Sequence, residues 1–319
     1  MEDHRATTSV DRCSIDARPH VRWNGRRPAL GRVHDRFSNR PVIPERTSRT
    51  EREPVDGDPR KRASHASVLC SRTLTVMLKK LKDTLEENFV SSSSKPFGRR
   101  IWKLYPESGH PSCAVIFLDG ELYLEKVKTV QVLRQLHAEK NIPSTMAVFV
   151  SSNSPAARHS DYTCDADYAT FLAQDVVPWI LNSHGEIGCE RMIIVGLSLS
   201  GLAAAYAALT HQSQFHSAIC QSPSFWWNDE CLYSSLPPAT DSRTAFWVSV
   251  GNQETERGVS HPPSGMLQKK SQIEACQHGC NALRDAKYNV NYRVFQGGHD
   301  PERWREDLVL ALPWVAKSS

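Results

Sequence analysis

The stretch "MIIVGLSLSGLAAAYAAL", Met192 to Leu209, constrains the fold of this chain more than any other. Met192–Val195 reads as a short buried strand and Gly201–Leu209 as an alanine-rich helix. Only Gly196, Leu197, Ser198, Leu199 and Ser200 remain to turn the chain. Gly196 leaves room for an abrupt change of direction, and small residues let the helix pack close to its strand. In such a corner the middle residue, Ser198, is forced outward with its Oγ above the sheet edge, the geometry of a nucleophile elbow. The G-x-S-x-S string alone is a weak signal, because a serine there serves equally well as a helix cap.

The rest of the chain supplies the context. From Gly98 onward, strand-like and helix-like patterns alternate. "GRRIWKLYP" (Gly98–Pro106) alternates in the manner of an edge strand, and "CAVIFLDG" (Cys113–Gly120) is a continuous apolar run that fits a buried parallel strand. "STMAVFVSS", "FHSAICQSPSFWW", "TAFWVSVGNQE" and "NVNYRVFQGGHD" supply further strands. "YLEKVKTVQVLRQLHAEK", "DADYATFLAQDVVPWILNSH", "QKKSQIEACQHGCNALRDA" and "PERWREDLVLALPWV" have helical spacing. Strands separated by helices imply right-handed crossovers, and so an α/β fold with a mostly parallel sheet covered by helices on both faces.

The first 66 residues do not share this pattern. They hold 15 Lys and Arg against 10 Asp and Glu, with almost no apolar periodicity. Such a composition buries too little apolar surface to fold. Residues 1–76 are therefore expected to be a disordered or non-native extension, and 77–319 one catalytic-size domain, with Met77 a natural start. Of the 39 basic and 35 acidic residues, 24 and 25 then fall outside the first 66. The pI of about 8.5 belongs to the extension, and a nucleic-acid partner is not expected of a near-neutral body. No apolar run approaches the roughly 20 residues of a membrane helix. Nine irregularly spaced cysteines, several inside apolar segments, read as reduced core thiols of a cytoplasmic protein. "CQHGC" (Cys276, His278, Cys280) lacks a companion pair for a four-ligand site, so no metal is expected there.

A serine hydroxyl at its free pKa is a weak nucleophile and needs a base. "FQGGHD" puts His299 just after the last apolar strand, where a neutral imidazole can take the serine proton and return it to the leaving group. An acid that holds the imidazole tautomer is expected between the two in sequence. The loop "NQETERG" supplies Glu254, which is nearer the strand end and is the expected partner. Glu256 is the alternative, and a Ser–His dyad is a third arrangement. For the oxyanion, the expected donors are the backbone N–H of Leu199, at a helix N-terminus, and those of Gly120 and Glu121 after "VIFLDGEL". Each residue also has an ordinary structural role open to it, as a cap, a turn or a solvated acid. Their shared order, each at a strand end, favours the chemical reading.

Taken together, "VIFLDGELY", "VFVSSNSPAARHSDYT", "IIVGLSLSGLAAAYAAL", "CQSPSFWW" and "FQGGHDPERWR" resemble the enterochelin (enterobactin) esterase group of the esterase-D-type α/β hydrolases. The resemblance runs from about residue 95 to the C-terminus. It implies the α/β-hydrolase fold and a serine esterase without cofactor, with Ser198 as nucleophile, His299 as base and the Asp-Gly loop at the oxyanion. It also implies a small-molecule ester as partner, of the catecholate siderophore type, and points to Ser224–Trp227 and the Arg158–Tyr162 segment as pocket walls. The wider superfamily includes esterases for feruloyl-sugar esters and S-formylglutathione, and acyltransferases. Two departures stand out. Ser200 occupies the usual elbow glycine, and residues 1–90 lack the alternating strands of the β-sandwich that precedes the hydrolase domain in two-domain members. Trp226 and Trp227 are suited to stack on an aromatic acyl group or to pack the core. Arg158 is suited to an anionic substrate group or to a structural partner such as Asp161. Trp304, one turn past His299, is expected to pack the last helix beneath the histidine loop.

Overall fold

The computed structural model describes residues 85–107, 110–182, 191–233, 236, 244–261 and 265–317. The expectations for residues 1–76, and for a folded start at Met77, lie outside the described residues. Among the described residues there are ten strands: β1 (Glu86–Ser91), β2 (Gly98–Leu104), β3 (Cys113–Phe117), β4 (Thr145–Val150), β5 (Arg191–Leu197), β6 (Ser217–Gln221), β7 (Ala245–Gly251), β8 (Val259–His261), β9 (Met266–Gln268) and β10 (Asn289–Phe295). Eight of them form one sheet in the order β1-β2-β4-β3-β5-β6-β7-β10, and β8 and β9 make a separate two-stranded hairpin. β1–β2 and β2–β4 pair antiparallel, and every other pairing in the large sheet is parallel. The mostly parallel sheet expected from the alternating pattern is the one observed.

Every side chain of β3, β4, β6 and β7 is buried, which is why these strands are apolar runs without alternation. Successive residues face opposite layers. Ala114, Ile116, Met192 and Ile194 join one core with residues of α2 (Pro155–Tyr162), α3 (Ala166–Phe171), α4 (Val177–Asn182), α5 (Leu199–Thr210) and α6 (Gln272–Asp285). Val115, Phe117, Ile193 and Val195 join the other with α1 (Thr129–Ala138) and α7 (Pro301–Lys317). Helices thus cover both faces.

Helix ends follow the local sequence. Ser154 Oγ accepts from Ala157 N at 3.1 Å and Asp165 Oδ1 from Tyr168 N at 2.7 Å, while Ser271 and Glu274 form a reciprocal capping box on α6. Between α3 and α4 the helix opens into a π turn, Leu172–Val176. Pro178 explains it, because proline cannot donate to the carbonyl four residues back and crowds it.

One expectation is corrected. Gly98–Leu104 is not the edge strand, since β1 lies outside it. The alternation of "GRRIWKLYP" marks a half-buried strand, and an edge strand and its neighbour share that mark. "EENFVS" shows no alternation of its own. The inward face of β2 carries two charges, each neutralised locally. Arg99 pairs with Asp161 and lies over the Phe97 ring. Lys103 pairs with Glu86 at 3.4 Å and sits over the rings of Tyr105 and Trp179.

The elbow depends on two small residues. A Cβ on Gly196 would overlap the carbonyl of Ser200. Ser200 itself is fully buried, and its hydroxyl accepts from Leu197 N at 2.9 Å and donates to Leu197 O at 2.8 Å. The serine in place of the usual glycine thus ties the turn to its strand. Gly196→Ala is expected to cost about 3 kcal/mol or more through this overlap, read as a lowered urea midpoint of the purified variant.

Candidate active site

Five parallel strands in sheet order, β3, β5, β6, β7 and β10, deliver the candidate groups at their carboxyl ends. Ser198 follows β5 with φ 53° and ψ −122°, a strained conformation held from both sides. Its N–H donates to Gln221 O at 2.8 Å, and its C=O accepts from Ser224 N at 2.9 Å. Leu199 is the first residue of α5. In the next strand connection, Ser222 also takes a positive φ of 42°.

Glu254 and His299 come from adjacent loops because Phe295 of β10 pairs with Gly251 of β7. The two loops are tied together: Gln253 N donates to Gly297 O at 3.0 Å, and Gly297 N donates to the Asn252 side chain at 3.0 Å. A Cβ on Gly251 would overlap the Gly297 carbonyl, so this closeness needs the glycine. Glu254 is buried, with Oε2 2.7 Å from His299 Nδ1. Its other oxygen, Oε1, accepts from Ser222 Oγ at 2.6 Å and Gly251 N at 2.8 Å. Ser222 Oγ in turn accepts from Trp304 Nε1 at 3.0 Å, and the Trp304 ring meets His299 edge-on at 4.7 Å. Glu254, His299, Trp304 and Ser222 form a closed ring of contacts, with Trp304 packed beneath the histidine as expected. Glu256 is exposed at the rim of the cavity described next, so the geometry puts Glu254 rather than Glu256 on the imidazole.

Ser198, Leu199, Glu254 and His299 line one cavity of about 400 Å³. Trp226 and Trp227 form a wall of it, although each is more than nine-tenths buried. Trp226 Nε1 donates to Gln272 Oε1 at 2.7 Å, and its ring stacks on His261 at 4.5 Å. Trp227 meets His159 edge-on at 5.1 Å. Of the expected pocket segments, Ser224, the two tryptophans, Arg158 and His159 reach the cavity. Tyr162 does not, and that expectation is corrected. It is completely buried, with Oη accepting from Asp119 N at 3.0 Å and its ring beneath the Arg158 guanidinium. Burial pushes its phenol well above the ordinary range, with the neighbouring Tyr168 and Asp119 adding to the rise.

The structural partner of Arg158 is Asp119, reached through a bidentate pair at 2.8 and 2.7 Å, whereas Asp161 belongs to Arg99. Asp119 takes φ 54° and opens the helical turn Gly120–Leu122. Gly120 packs its backbone against Phe149 and Val150 of β4. The Glu121 carboxylate accepts from Ser151 Oγ and Ser152 N. Gly120 and Glu121 are not part of the cavity wall itself, and Glu121 lines an adjoining cleft on the far side of Arg158. Register still brings their turn beside the elbow, since Phe117 of β3 pairs with Val195 and Leu118 N donates to Val195 O at 2.9 Å.

His159, inside the expected Arg158–Tyr162 segment, reaches the cavity, and so do residues with no sequence signal: Gln253 and the hairpin residues Val259, His261 and Gln268. "VSH" and "MLQ" are too short to show a period, so the hairpin was not expected. Cys276 and Cys280, one helical turn apart, are both buried in the core, whereas His278 is exposed and pairs with Glu230. Among the described residues no group of three or more His, Cys, Asp or Glu is placed to hold a metal ion, and no helix is long and apolar enough to cross a membrane.

Comparison with known proteins places these features in context. The family model described as "Putative esterase" matches residues 93–315. The iron(III) enterobactin esterase of Dickeya dadantii is 27% identical over 230 residues, covering 68% of this chain and 51% of that protein. Its counterpart in Escherichia coli K12 is 24% identical, covering 62% and 48%. The chain therefore spans about half the length of the curated relatives it matches. The crystal structure of an enterobactin esterase from Shigella flexneri, obtained in the presence of enterobactin, superposes with a TM-score of 0.60 at 22% identity, covering 72% of this chain and 58% of that one. A ferulic acid esterase superposes with a TM-score of 0.56 at 17% identity, covering 74% and 98%. At these identities the structural matches speak for the fold.

Ser222→Ala is expected to leave the buried Trp304 indole N–H unpaired and Glu254 short of one donor. The cost is about 1–3 kcal/mol, measured as a lower urea midpoint with an unchanged m value.

Proposed function

Because the chain belongs to this esterase family, we propose that it is a serine ester hydrolase working through an acyl-enzyme on Ser198. The observation that carries the reading is the 2.7 Å contact between Glu254 Oε2 and His299 Nδ1, on the wall of the cavity that Ser198 enters. With the proton on Nδ1 and directed at Glu254, Nε2 has a free lone pair for the Ser198 hydroxyl proton. Attack on the ester carbonyl gives a tetrahedral oxyanion. The Leu199 N–H at the start of α5 is its first donor, and the turn at Gly120 and Glu121, held beside the elbow by β3–β5 pairing, supplies the second. The imidazolium then protonates the leaving alcohol, and water completes the cycle by the same route in reverse. No step requires a cofactor.

For substrate we propose an ester of an aromatic acid. Two indoles and an arginine converge on a cavity with room for one aromatic ring and its linker. The names of the curated relatives favour a catecholate siderophore ester of the enterobactin kind. The ferulic acid esterase, which shares the fold, favours an aromatic acyl group more generally. A cytoplasmic setting belongs to the same proposal and is supported by six described cysteines outside any disulfide.

The test is turnover of p-nitrophenyl acetate and of a catechol–serine ester panel, with fluorophosphonate labelling alongside. Ser198→Ala is expected to abolish labelling and to lower kcat by about 10⁵-fold or more. Glu254→Gln is expected to lower it by about 10²- to 10⁴-fold, and Glu256→Gln to leave it within about twofold, as for a solvated rim acid. Preference for catechol esters supports siderophore-type release. Transfer to added alcohols faster than to water indicates an acyltransferase, and an unlabelled wild type indicates an inactive binding scaffold.

A further inference from the structure

Of the six cysteines among the described residues, Cys113, Cys220, Cys276 and Cys280 are buried, and only Cys164 and Cys231 are partly open to solvent. Burial pushes the thiols of Cys220, Cys276 and Cys280 up, which keeps them inert. The two partly open thiols meet: their Sγ atoms are 4.0 Å apart, although 67 residues separate them in sequence. A disulfide needs about 2.05 Å, so the remaining gap is one that side-chain rotation and a small backbone shift can close.

The position of this pair matters more than its proximity. Cys164 sits at a left-handed turn, φ 59°, two residues past the end of α2, and α2 carries Arg158 and His159 to the cavity. Cys231 lies four residues beyond Trp227, and Trp227 is part of the opposite wall. Between Trp227 and Cys231, three consecutive non-glycine residues, Asn228, Asp229 and Glu230, have φ of 46°, 53° and 64°. Each such conformation is sterically costly. Ion pairs to Lys269 and Lys270, a His278–Glu230 contact and the backbone hydrogen bond from Cys231 N to Trp227 O hold the segment, so a strained stretch lies directly behind this wall. The His159–Trp227 edge contact is the point where the two walls touch.

We propose that Cys164 and Cys231 are a reversible oxidation site, whose disulfide staples the Arg158–His159 wall of the cavity to the Trp226–Trp227 wall and alters substrate binding. The oxidant is a hydroperoxide. The Cys231 thiolate attacks the terminal peroxide oxygen; an S–O bond forms, the O–O bond breaks, and the departing oxygen leaves as water or alcohol after taking up a proton. Cys164 then attacks the Cys231 sulfur, an S–S bond forms, and the hydroxyl leaves as water with the Cys164 proton. Two thiols lose two electrons and one peroxide gains them. A dithiol reductant reverses the bond. Cys231 is the attacking member because the Cys164 thiol, the Asn228 side chain and the backbone N–H groups of Cys231 and Leu232 favour its thiolate and, against the opposing cost of burial, hold its thiol below the ordinary range.

The effect on turnover rests on the hydrolase reading, whereas bond formation does not. The full chain is treated with one equivalent of hydrogen peroxide, its remaining thiols are capped with N-ethylmaleimide, and the digest is analysed by mass spectrometry. A Cys164–Cys231 cross-linked peptide is expected as the main oxidised species, removed by dithiothreitol. Tryptophan emission should change with it in the wild type and not in Cys231→Ser or Cys164→Ala. KM for a p-nitrophenyl ester should change several-fold while kcat stays nearly constant, again only in the wild type. Absence of the cross-linked peptide, equal oxidation of the buried cysteines, or the same KM change in Cys231→Ser would overturn the proposal. Cross-linking and the emission change in a chain that hydrolyses no ester would leave the thiol pair standing and sink the hydrolase reading.

Discussion

The parallel hydrogen-bond register of β3, β5, β6, β7 and β10 is the constraint on which the rest of the site depends. Side by side in the sheet, these strands end at nearly one level, so Asp119, Ser198, Ser222, Glu254 and His299 emerge along a single edge. A parallel strand must be followed by a crossover, and each crossover begins with a turn at that edge. Three of the five residues there, Asp119, Ser198 and Ser222, have positive φ. The turns tolerate this because hydrogen bonds between neighbouring connections over-determine them. Ser198 is held by Gln221 and Ser224, and Ser222 by Ser249.

A second layer of control lies beneath that edge. Asp307 of α7 is fully buried and accepts hydrogen bonds from Gln221, Trp247, Ser249 and Arg293. A buried carboxylate with so many donors is costly to strip of any one of them, and it ties α7 to β6, β7 and β10 at once. Gln221 extends the network to Tyr123 and to the carbonyl of Trp304. α7 is therefore docked in a single position, and Trp304 is presented under His299 with its indole N–H aimed at Ser222. The imidazole is oriented by a hydrogen bond on one side and an aromatic edge on the other.

The cavity is built on a different footing. Arg158 is already neutralised by Asp119 and stands on the buried Tyr162 ring. Its guanidinium is thus a fixed hydrogen-bond donor rather than a bare charge. Trp226 and Trp227 contribute flat apolar faces while their bulk belongs to the core. The proposed aromatic-ester substrate rests on that combination. Short segments distant in sequence, among them the β8–β9 hairpin, complete the wall.

The local geometry was legible in the sequence. The apolar strand and alanine-rich helix from Met192 to Leu209 leave only a tight turn between them, and in the structure that turn shrinks to Ser198 alone, between the end of β5 at Leu197 and the start of α5 at Leu199. The continuous apolar runs determine buried parallel strands, and the order of Ser198, Glu254 and His299 follows from their places after strands. Which strand forms the edge was decided only in three dimensions, since a half-buried pattern is the same for β2 in either place. Nearness to the strand end already favoured Glu254 over Glu256 in the sequence, but the physical reason is tertiary. Both lie in one loop, and only the β7–β10 register, which sets Gly251 against the histidine loop, turns one inward and leaves the other in solvent. The same holds for Tyr162 behind Arg158, for Ser222 and for the Cys164–Cys231 contact. Each depends on distances between segments far apart in the chain, and residue spacing carries no record of those.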